Sequence, residues 1–433
     1  MIRMRVAVLT SSRADYGIYQ PLLRKLQLDS TVDLRLIVFG THLSQKHGYT
    51  VEEIEADGYQ IDYRVETMVD ADDPSGIAGT MSLCSTKFAV IWEKEQNHYD
   101  WVICLGDRYE MFSAVSIAAP FSIKFAHIHG GETTLGAIDN KFRHCLTLFS
   151  ELHFVATEQY AERVKAIIGN DEIPMSEYSP TVDERFGHSI RSFKNKLYSN
   201  ETAMQSLDTQ GHEKEVGGSI CPLKNKLFSD ETKVFTVGAL SLDNIDEISL
   251  YSKIEFQEKF NINIDIPTVL VTFHPETVAY EKNLLYVNEV IAALNVLEEQ
   301  IIITMPNADT MGNLLREAYM NFAIQKKNVI LIENFGIRGY FTCMKYAQYL
   351  LGNTSSGIIE AASFGKFVIN IGDRQKGRAC SENIIHVNAE QKNILSACYQ
   401  VKILGSFLGT NIYQKNQKAA DTIIKVLKEN ARL

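Results

Sequence analysis

Short, fully apolar runs alternate along the chain with longer segments whose apolar positions recur every three or four residues. RVAVLT (5–10), LRLIVFG (34–40), WVICLG (101–106) and KFAHIHG (124–130) form a first set. TVLVTFH (268–274), QIIITMP (300–306), NVILIENF (328–335), AQYLLGN (347–353) and KFVINIG (366–372) form a second. Runs apolar on both faces suit parallel strands covered by helices, and their alternation with helix-length segments is the pattern of βαβ units. The expected fold class is α/β, with two doubly wound domains at 1–175 and 233–400. Most runs of the second set end in His, Pro, Asn or Gly, where the carboxyl end of a parallel strand opens into a loop able to hold a ligand. Near the end of the chain, Ala419, Ile423, Ile424, Val426 and Leu427 fall close to helical spacing. They predict an amphipathic helix within 401–433 that packs back across the domains.

The segment 176–232 breaks this rhythm with Pro180, Gly187, Gly211, Gly217, Gly218 and many charges. It contains an echo, SIRSFKNKLYSNET (189–202) against SICPLKNKLFSDET (219–232), identical at nine of fourteen positions. Two short copies cannot stack into a solenoid core, so a duplicated surface insertion without catalytic residues is expected, either as an excursion or as an extra pair of helices.

A 433-residue chain with 45% hydrophobic and 22% charged residues has the composition of a folded globular protein. Its net charge of -10 argues against a general nucleic-acid binder but leaves room for a local basic pocket that takes a phosphorylated small molecule. Seven scattered cysteines with no CxxC pair fit reduced thiols and a cytoplasmic location. The first apolar stretch, about five residues long, is too short for a signal-peptide core or a membrane span, so no membrane partner is expected.

Four stretches at predicted strand ends carry residues suited to chemistry. In TSSRADYG (10–17), Ser11, Ser12 and Arg13 open a βα turn where helix N–H groups favour an anion, although Ser and Asp equally serve as helix caps. In LGDRYEM (105–111), Asp107 would stand at a strand's carboxyl edge as acid or base, with Arg108 able to hold it ionised or to meet a phosphate. An N-cap aspartate beside an exposed arginine is the plain alternative. HIHGGETTLGAIDNKFRH (127–144) offers His127 and His129, which would share a face on a strand, followed by Glu132, Asp139, Arg143 and His144. Zinc would need further ligands from a glycine turn and a helix, so no metal is expected. On a helix, Asp139 and Arg143 share a face, either as a base kept ionised by a guanidinium or as a surface salt bridge. GNTSSGIIEAASFGK (352–366) runs from a strand end into a helix start suited to a diphosphate, with Glu360 placed for ribose hydroxyls. It matches neither the Walker nor the GxGxxG pattern, and a simple capped helix is the alternative. NIGDRQKGR (370–378) brings Arg374, Lys376 and Arg378 to the next strand end, which favours an anionic ligand.

With SSRADYG, GDRYEM, HIHGGE…GAID…RH, TFHPET, MPNAD, GNTSSGIIEA and GDRQKGR in this order, the chain resembles the UDP-N-acetylglucosamine 2-epimerase family. The resemblance is to the hydrolysing branch that feeds sialic, legionaminic and related nonulosonic acid synthesis. It spans everything outside about 175–232, and the motifs are specific as a set rather than singly. It implies a glycosyltransferase-B-like pair of Rossmann-like domains with the active site in the interdomain cleft, a UDP-sugar ligand, no cofactor, and a homodimer or homotetramer. On the family pattern Thr354, Ser355 and Glu360 bind the diphosphate and ribose, helped by Arg13 and Arg374 at the phosphates. Arg108, from its own place after a strand, is a further substrate-binding candidate. His274 faces the diphosphate and Asn307 the sugar. Asp107 and Asp139 match the catalytic carboxylates and Arg143 their neighbouring arginine.

The implied reaction removes the C2 proton as UDP leaves C1, then adds water at C1 and returns a proton to C2 from the other face. Where sialic-acid-type members carry HIEGGE, this chain carries HIHGGE. His129 thus occupies the place of a catalytic glutamate, and either its imidazole moves the proton or Glu132 takes part of that role. The implied substrate is UDP-N-acetylglucosamine or UDP-2,4-diacetamido-2,4,6-trideoxyglucose. A non-hydrolysing epimerase or sugar transferase on the same fold, and a non-catalytic UDP-sugar-binding protein, are the competing readings.

Overall fold

All nine apolar runs contribute strands to two parallel sheets. The structure, a computed structural model, describes residues 3–69, 73–169, 233–276, 278, 280–306 and 312–431. The insertion expected at 176–232 and Asn307 lie outside the described residues. Up to Ile168 and from Lys233 onward the chain forms one compact unit.

The first sheet contains β1 (Met4–Thr10), β2 (Val32–Phe39), β3 (Ile61–Val65), β4 (Trp101–Leu105), β5 (Phe125–Ile128), β6 (Leu152–Val155) and β7 (Val234–Thr236), in the order β3-β2-β1-β4-β5-β6-β7. The second contains β8 (Thr268–Thr272), β9 (Gln300–Thr304), β10 (Val329–Ile332), β11 (Tyr349–Gly352), β12 (Val368–Ile371) and β13 (Ile384–Val387), in the order β10-β9-β8-β11-β12-β13. Each sheet reverses its strand order once, between β1 and β4 in one and between β8 and β11 in the other. Loops leaving those carboxyl ends diverge and leave a crevice. The residues after β1 and β4 (Arg13, Asp107) and after β8 and β11 (His274, Thr354) therefore start at the two places where a doubly wound sheet binds ligands.

The helix Ala419–Glu429 packs into the core of the first sheet, burying Ala419, Ala420, Ile423, Val426 and Leu427 among Tyr19, Leu22 and Trp101. The Trp101 indole donates to the Leu427 carbonyl at 3.1 Å. Asp243 accepts the Ala419 and Ala420 N–H groups at 3.2 and 2.9 Å, filling the role of a side-chain cap at this helix start.

The two lobes also meet through loops. The Leu135 N–H donates to the Lys376 carbonyl at 3.0 Å, and the Val278 N–H to the Gly136 carbonyl at 3.4 Å. A Cβ on Gly136 would lie 2.6 Å from both Arg374 Cα and the Asp373 carbonyl oxygen, so only glycine permits this approach. Gly136→Ala is expected to destabilise the fold by about 1–3 kcal/mol, because backbone rather than a flexible side chain must move. Denaturant unfolding checks this, and an unchanged midpoint would mean that the two loops do not touch in solution.

Candidate active site

Asp107 follows β4 at the carboxyl edge of the first sheet. Its carboxylate accepts from Arg143 Nη2, with the Asp107 side chain 22% exposed and that of Arg143 3%. Asp139 opens the helix Asp139–Leu148 one turn before Arg143 and is half-buried. Arg108 forms a two-point ion pair with the fully buried Glu110, at 2.7 and 3.2 Å.

The two histidines of HIHGG do different work. His127, inside β5, is fully buried and its Nε2 bonds the Gly106 carbonyl at 2.9 Å. Burial pushes it down to about 3, offset only in part by that carbonyl, so it is a neutral core histidine tying β5 to the end of β4. The strand ends at Ile128, and His129 has a left-handed backbone (φ 65°). The two side chains therefore do not share a strand face. Among the described residues no group of three or more His, Cys, Asp or Glu is arranged to hold a metal ion.

A left-handed backbone costs a non-glycine residue about 1–2 kcal/mol and needs support. At His129 the N–H donates to the Phe154 carbonyl at 2.9 Å, and the carbonyl accepts from Arg143 Nη1 at 2.8 Å. Held this way, the His129 Nδ1 lies 2.6 Å from Glu132 Oε1. Glu132 is fully buried; its other oxygen pairs with Arg378 Nη2 and lies 3.7 Å from Arg143 Nη1. Burial alone would raise this carboxyl, but the charges of Arg378, His129 and Arg143 outweigh it and hold Glu132 well below the usual carboxylate range. In return, although burial lowers Arg378, Glu132 lifts its guanidinium above the ordinary arginine range.

An ionised carboxylate only accepts hydrogen bonds, so His129 carries a proton on Nδ1, and in the neutral form of the ring Nε2 holds the basic lone pair. That Nε2 is buried with no hydrogen-bond partner, as are Nε of Arg143 and Nε of Arg378. These three atoms leave a ring nitrogen and two guanidinium N–H groups of one charged cluster available to another molecule.

On the second lobe, the Asn353 side chain brackets the His274 backbone, accepting its N–H at 2.7 Å and donating to its carbonyl at 2.9 Å. The ends of β8 and β11 are thereby fixed together. Thr354 caps the short helix Ser355–Ile359, accepting from the Ser356 N–H at 3.3 Å, and Ser355 is exposed. Glu360 is buried and accepts from the Ser241 hydroxyl. Burial raises it, and the Ser241 and Ser356 hydroxyls with the charges of His129 and Arg378 counter that in part. Arg374 donates to the Pro275 carbonyl at 2.7 Å. Arg13 is half-buried at the start of the helix Arg13–Leu28; burial lowers it, and Glu333 of the second lobe acts against that.

Ser11 and Ser12 act as the helix cap: Asp15 accepts the Ser11 and Ser12 N–H groups at 2.8 and 2.7 Å, and both hydroxyls as well. Sequence reasoning noticed Arg378 only as one of three cations and gave Asn353 and Ser241 no role. A cavity of about 670 Å³ opens beside residues 372–378 and 385–388. Arg378 lines it, but His129, Glu132, Asp107 and Arg143 do not.

The profile of the family described as UDP-N-acetylglucosamine 2-epimerase matches residues 24–172 and 219–428. The UDP-N,N'-diacetylbacillosamine 2-epimerase (hydrolyzing) of Legionella pneumophila is 30% identical over 92% of this chain and 88% of its own length. The polysialic acid biosynthesis protein P7 of Escherichia coli is 30% identical over 90% and 84%. The GDP/UDP-N,N'-diacetylbacillosamine 2-epimerase (hydrolyzing) of Campylobacter jejuni is 28% identical over 89% and 84%. Among solved structures, UDP-GlcNAc 2-epimerase from Neisseria meningitidis bound to UDP-GlcNAc superposes with a TM-score of 0.70 at 15% identity, covering 98% of this chain and 100% of that one. This likeness carries the fold, two Rossmann-like domains of glycosyltransferase-B type. With the family match across both sheets and relatives at this identity along most of their length, the chain belongs to the UDP-N-acetylglucosamine 2-epimerase family.

Proposed function

We propose that this enzyme is a hydrolysing 2-epimerase of a UDP-linked 2-acetamido sugar, releasing UDP and the free mannose-configured sugar for nonulosonic (sialic or legionaminic) acid synthesis. The observation that carries the proposal is the buried line Arg378–Glu132–His129, which ends on an unpartnered imidazole Nε2. Glu132, clamped by cations, keeps its charge; it orients His129 and stabilises the imidazolium rather than moving a proton itself. His129 Nε2 takes the C2 proton. The C2–H electron pair becomes the C1=C2 bond, and the C1–O bond breaks with its pair leaving on UDP. Water then adds its oxygen at C1 while its proton, relayed by the carboxylates of Asp107 and Asp139, is taken up by the C1=C2 pair at C2 from the opposite face, and the imidazolium proton is released to solvent.

Departure of the diphosphate shares the work of breaking a weakly acidic C–H bond, which is the use of a cationic surround. Thr354, Ser355, His274, Arg374, Arg13 and Arg108 hold the diphosphate, Glu360 the ribose, and Asn307 the sugar. In this reading 1–175 and 233–400 are the two domains, 176–232 an insertion and 401–433 the closing segment. The enzyme works in the cytoplasm as a homodimer or homotetramer. Among the described residues no helix is long and apolar enough to cross a membrane.

The relatives' names divide between diacetylbacillosamine and polysialic acid, so UDP-N,N'-diacetylbacillosamine and UDP-N-acetylglucosamine are the two sugars to offer. Incubation with each in deuterated water, followed by proton NMR, should yield free mannose-configured sugar carrying deuterium at C2, together with UDP. A C2-epimerised product still joined to UDP would overturn hydrolysis. Saturable binding without turnover would make the protein a UDP-sugar binder.

A further inference from the structure

Arg378 reaches Glu132 from a loop of the other lobe, and its backbone neighbour is held by two buried phenols. The Ala379 N–H donates to Tyr160 Oη at 2.9 Å, and the Tyr413 hydroxyl donates to the Ala379 carbonyl at 2.7 Å. The two phenol oxygens are 2.9 Å apart. A phenol has one proton, and that of Tyr413 is spent on the carbonyl, so Tyr160 donates to Tyr413. The bonds close a ring: Ala379 N–H to Tyr160, Tyr160 to Tyr413, Tyr413 to the Ala379 carbonyl.

Both phenols are fully buried, where phenylalanine would fill the same volume without needing partners. Tyr160 lies on the helix Glu158–Ile168, which also holds the turn bearing Glu132. A Cβ on Gly131 (φ 74°) would run into the Tyr160 carbonyl oxygen, and Arg163 donates to the Gly131 carbonyl at 2.6 Å. One helix thus fixes Glu132 by its backbone and Arg378 through the ring. With Gln375 Oε1 accepting from Arg378 Nη1 at 2.9 Å, both ends of the arginine are set.

We propose that Tyr160 and Tyr413 are positioning residues that set Arg378 against Glu132 and thereby tune the His129 imidazole; the proposal rests on the proton-transfer role given to His129 above. Glu132 faces the His129 ring directly and is itself met by Arg378 and Arg143, while Glu360 and His127 interact with His129 electrostatically. If Arg378 backs away, Glu132 acts on the imidazole with less of its charge neutralised, and a nearby cation is withdrawn. Both changes favour imidazolium.

The test uses full-length Tyr413→Phe and Tyr160→Phe. Each is expected to lower kcat about tenfold with KM within about twofold, as a loosened catalytic geometry does. The acidic limb of the rate profile should move up by about half a pH unit. The double variant should be no worse than the more damaging single one, because the ring acts as a unit. The titration of His129, followed by 15N NMR and assigned by difference against His129→Gln, should move in the same direction whether or not turnover is measured. Inactivity of the wild type on every UDP-sugar would remove the proposed function while the imidazole titration still decided the positioning claim. Wild-type titration in both phenylalanine variants, with kcat either unchanged or reduced only in step with the folded fraction, would overturn the proposal.

Discussion

His129→Gln is expected to lower the rate of UDP release by about 10²–10⁴-fold, the range for removal of a general base. Glutamine is close in volume, and its amide can still donate to Glu132, so the left-handed turn and the buried carboxylate keep their partners. What is lost is the basic lone pair at Nε2, the one buried atom of the imidazole without a partner. UDP-sugar affinity, measured by calorimetry, should stay within about threefold, since the base contributes mainly in the transition state. Wash-in of deuterium at C2 should fall with UDP release, because both depend on the same proton transfer. A variant that keeps the wild-type rate would take the base role from His129 and leave it to Asp107 and Asp139.

Much of the fold was legible because strands buried on both faces leave continuous apolar runs, as at β4 and β8. β3, β7 and β13 gave no such run. Each lies at a sheet edge and is only partly buried, so Asp62 and Arg64 in β3 and His386 in β13 interrupt the pattern. Four-residue β6 is fully buried but carries His153 in its middle and follows Ser150 and Glu151, which masks it as a loop.

At the site, the motif around His129 was visible but its geometry was not. Helical spacing pairs Arg143 with Asp139, whereas the fold also delivers Arg143 to Asp107, 36 residues away. Arg378 meets Glu132 across 246 residues, and Tyr160 meets Tyr413 across 253. No local periodicity encodes such pairs. The Arg378–Glu132 pair forms because the loops after β5 and β12 meet, and the other two because segments that follow different strands converge. At the serines after β1, where the sequence allowed either an anion site or a helix cap, the structure shows the cap.

Glu132→Gln should destabilise the folded protein by about 3–5 kcal/mol at neutral pH, because it leaves the buried Arg378 guanidinium without its counter-charge. Glutamine keeps the shape and one acceptor, so the difference isolates the charge. Its pH dependence follows from the direction of the shift. Glu132 is held well below the usual carboxylate range in the fold, so its stabilisation is fully present above the unfolded-state value of about 4.3 and drains away as pH falls from there toward the folded value. Wild type should therefore lose stability with falling pH across the acid range more steeply than the variant, which has no carboxyl to protonate at this position. Denaturant midpoints for both proteins between pH 7 and pH 3 test this: the gap should hold from neutrality to about pH 5 and narrow below that. A gap of the same size at every pH would show that the lost stability does not come from the Glu132 charge. Glu132 could then no longer be the fixed anion that orients His129, and the division of labour between a permanent carboxylate and a proton-carrying imidazole would fall with it.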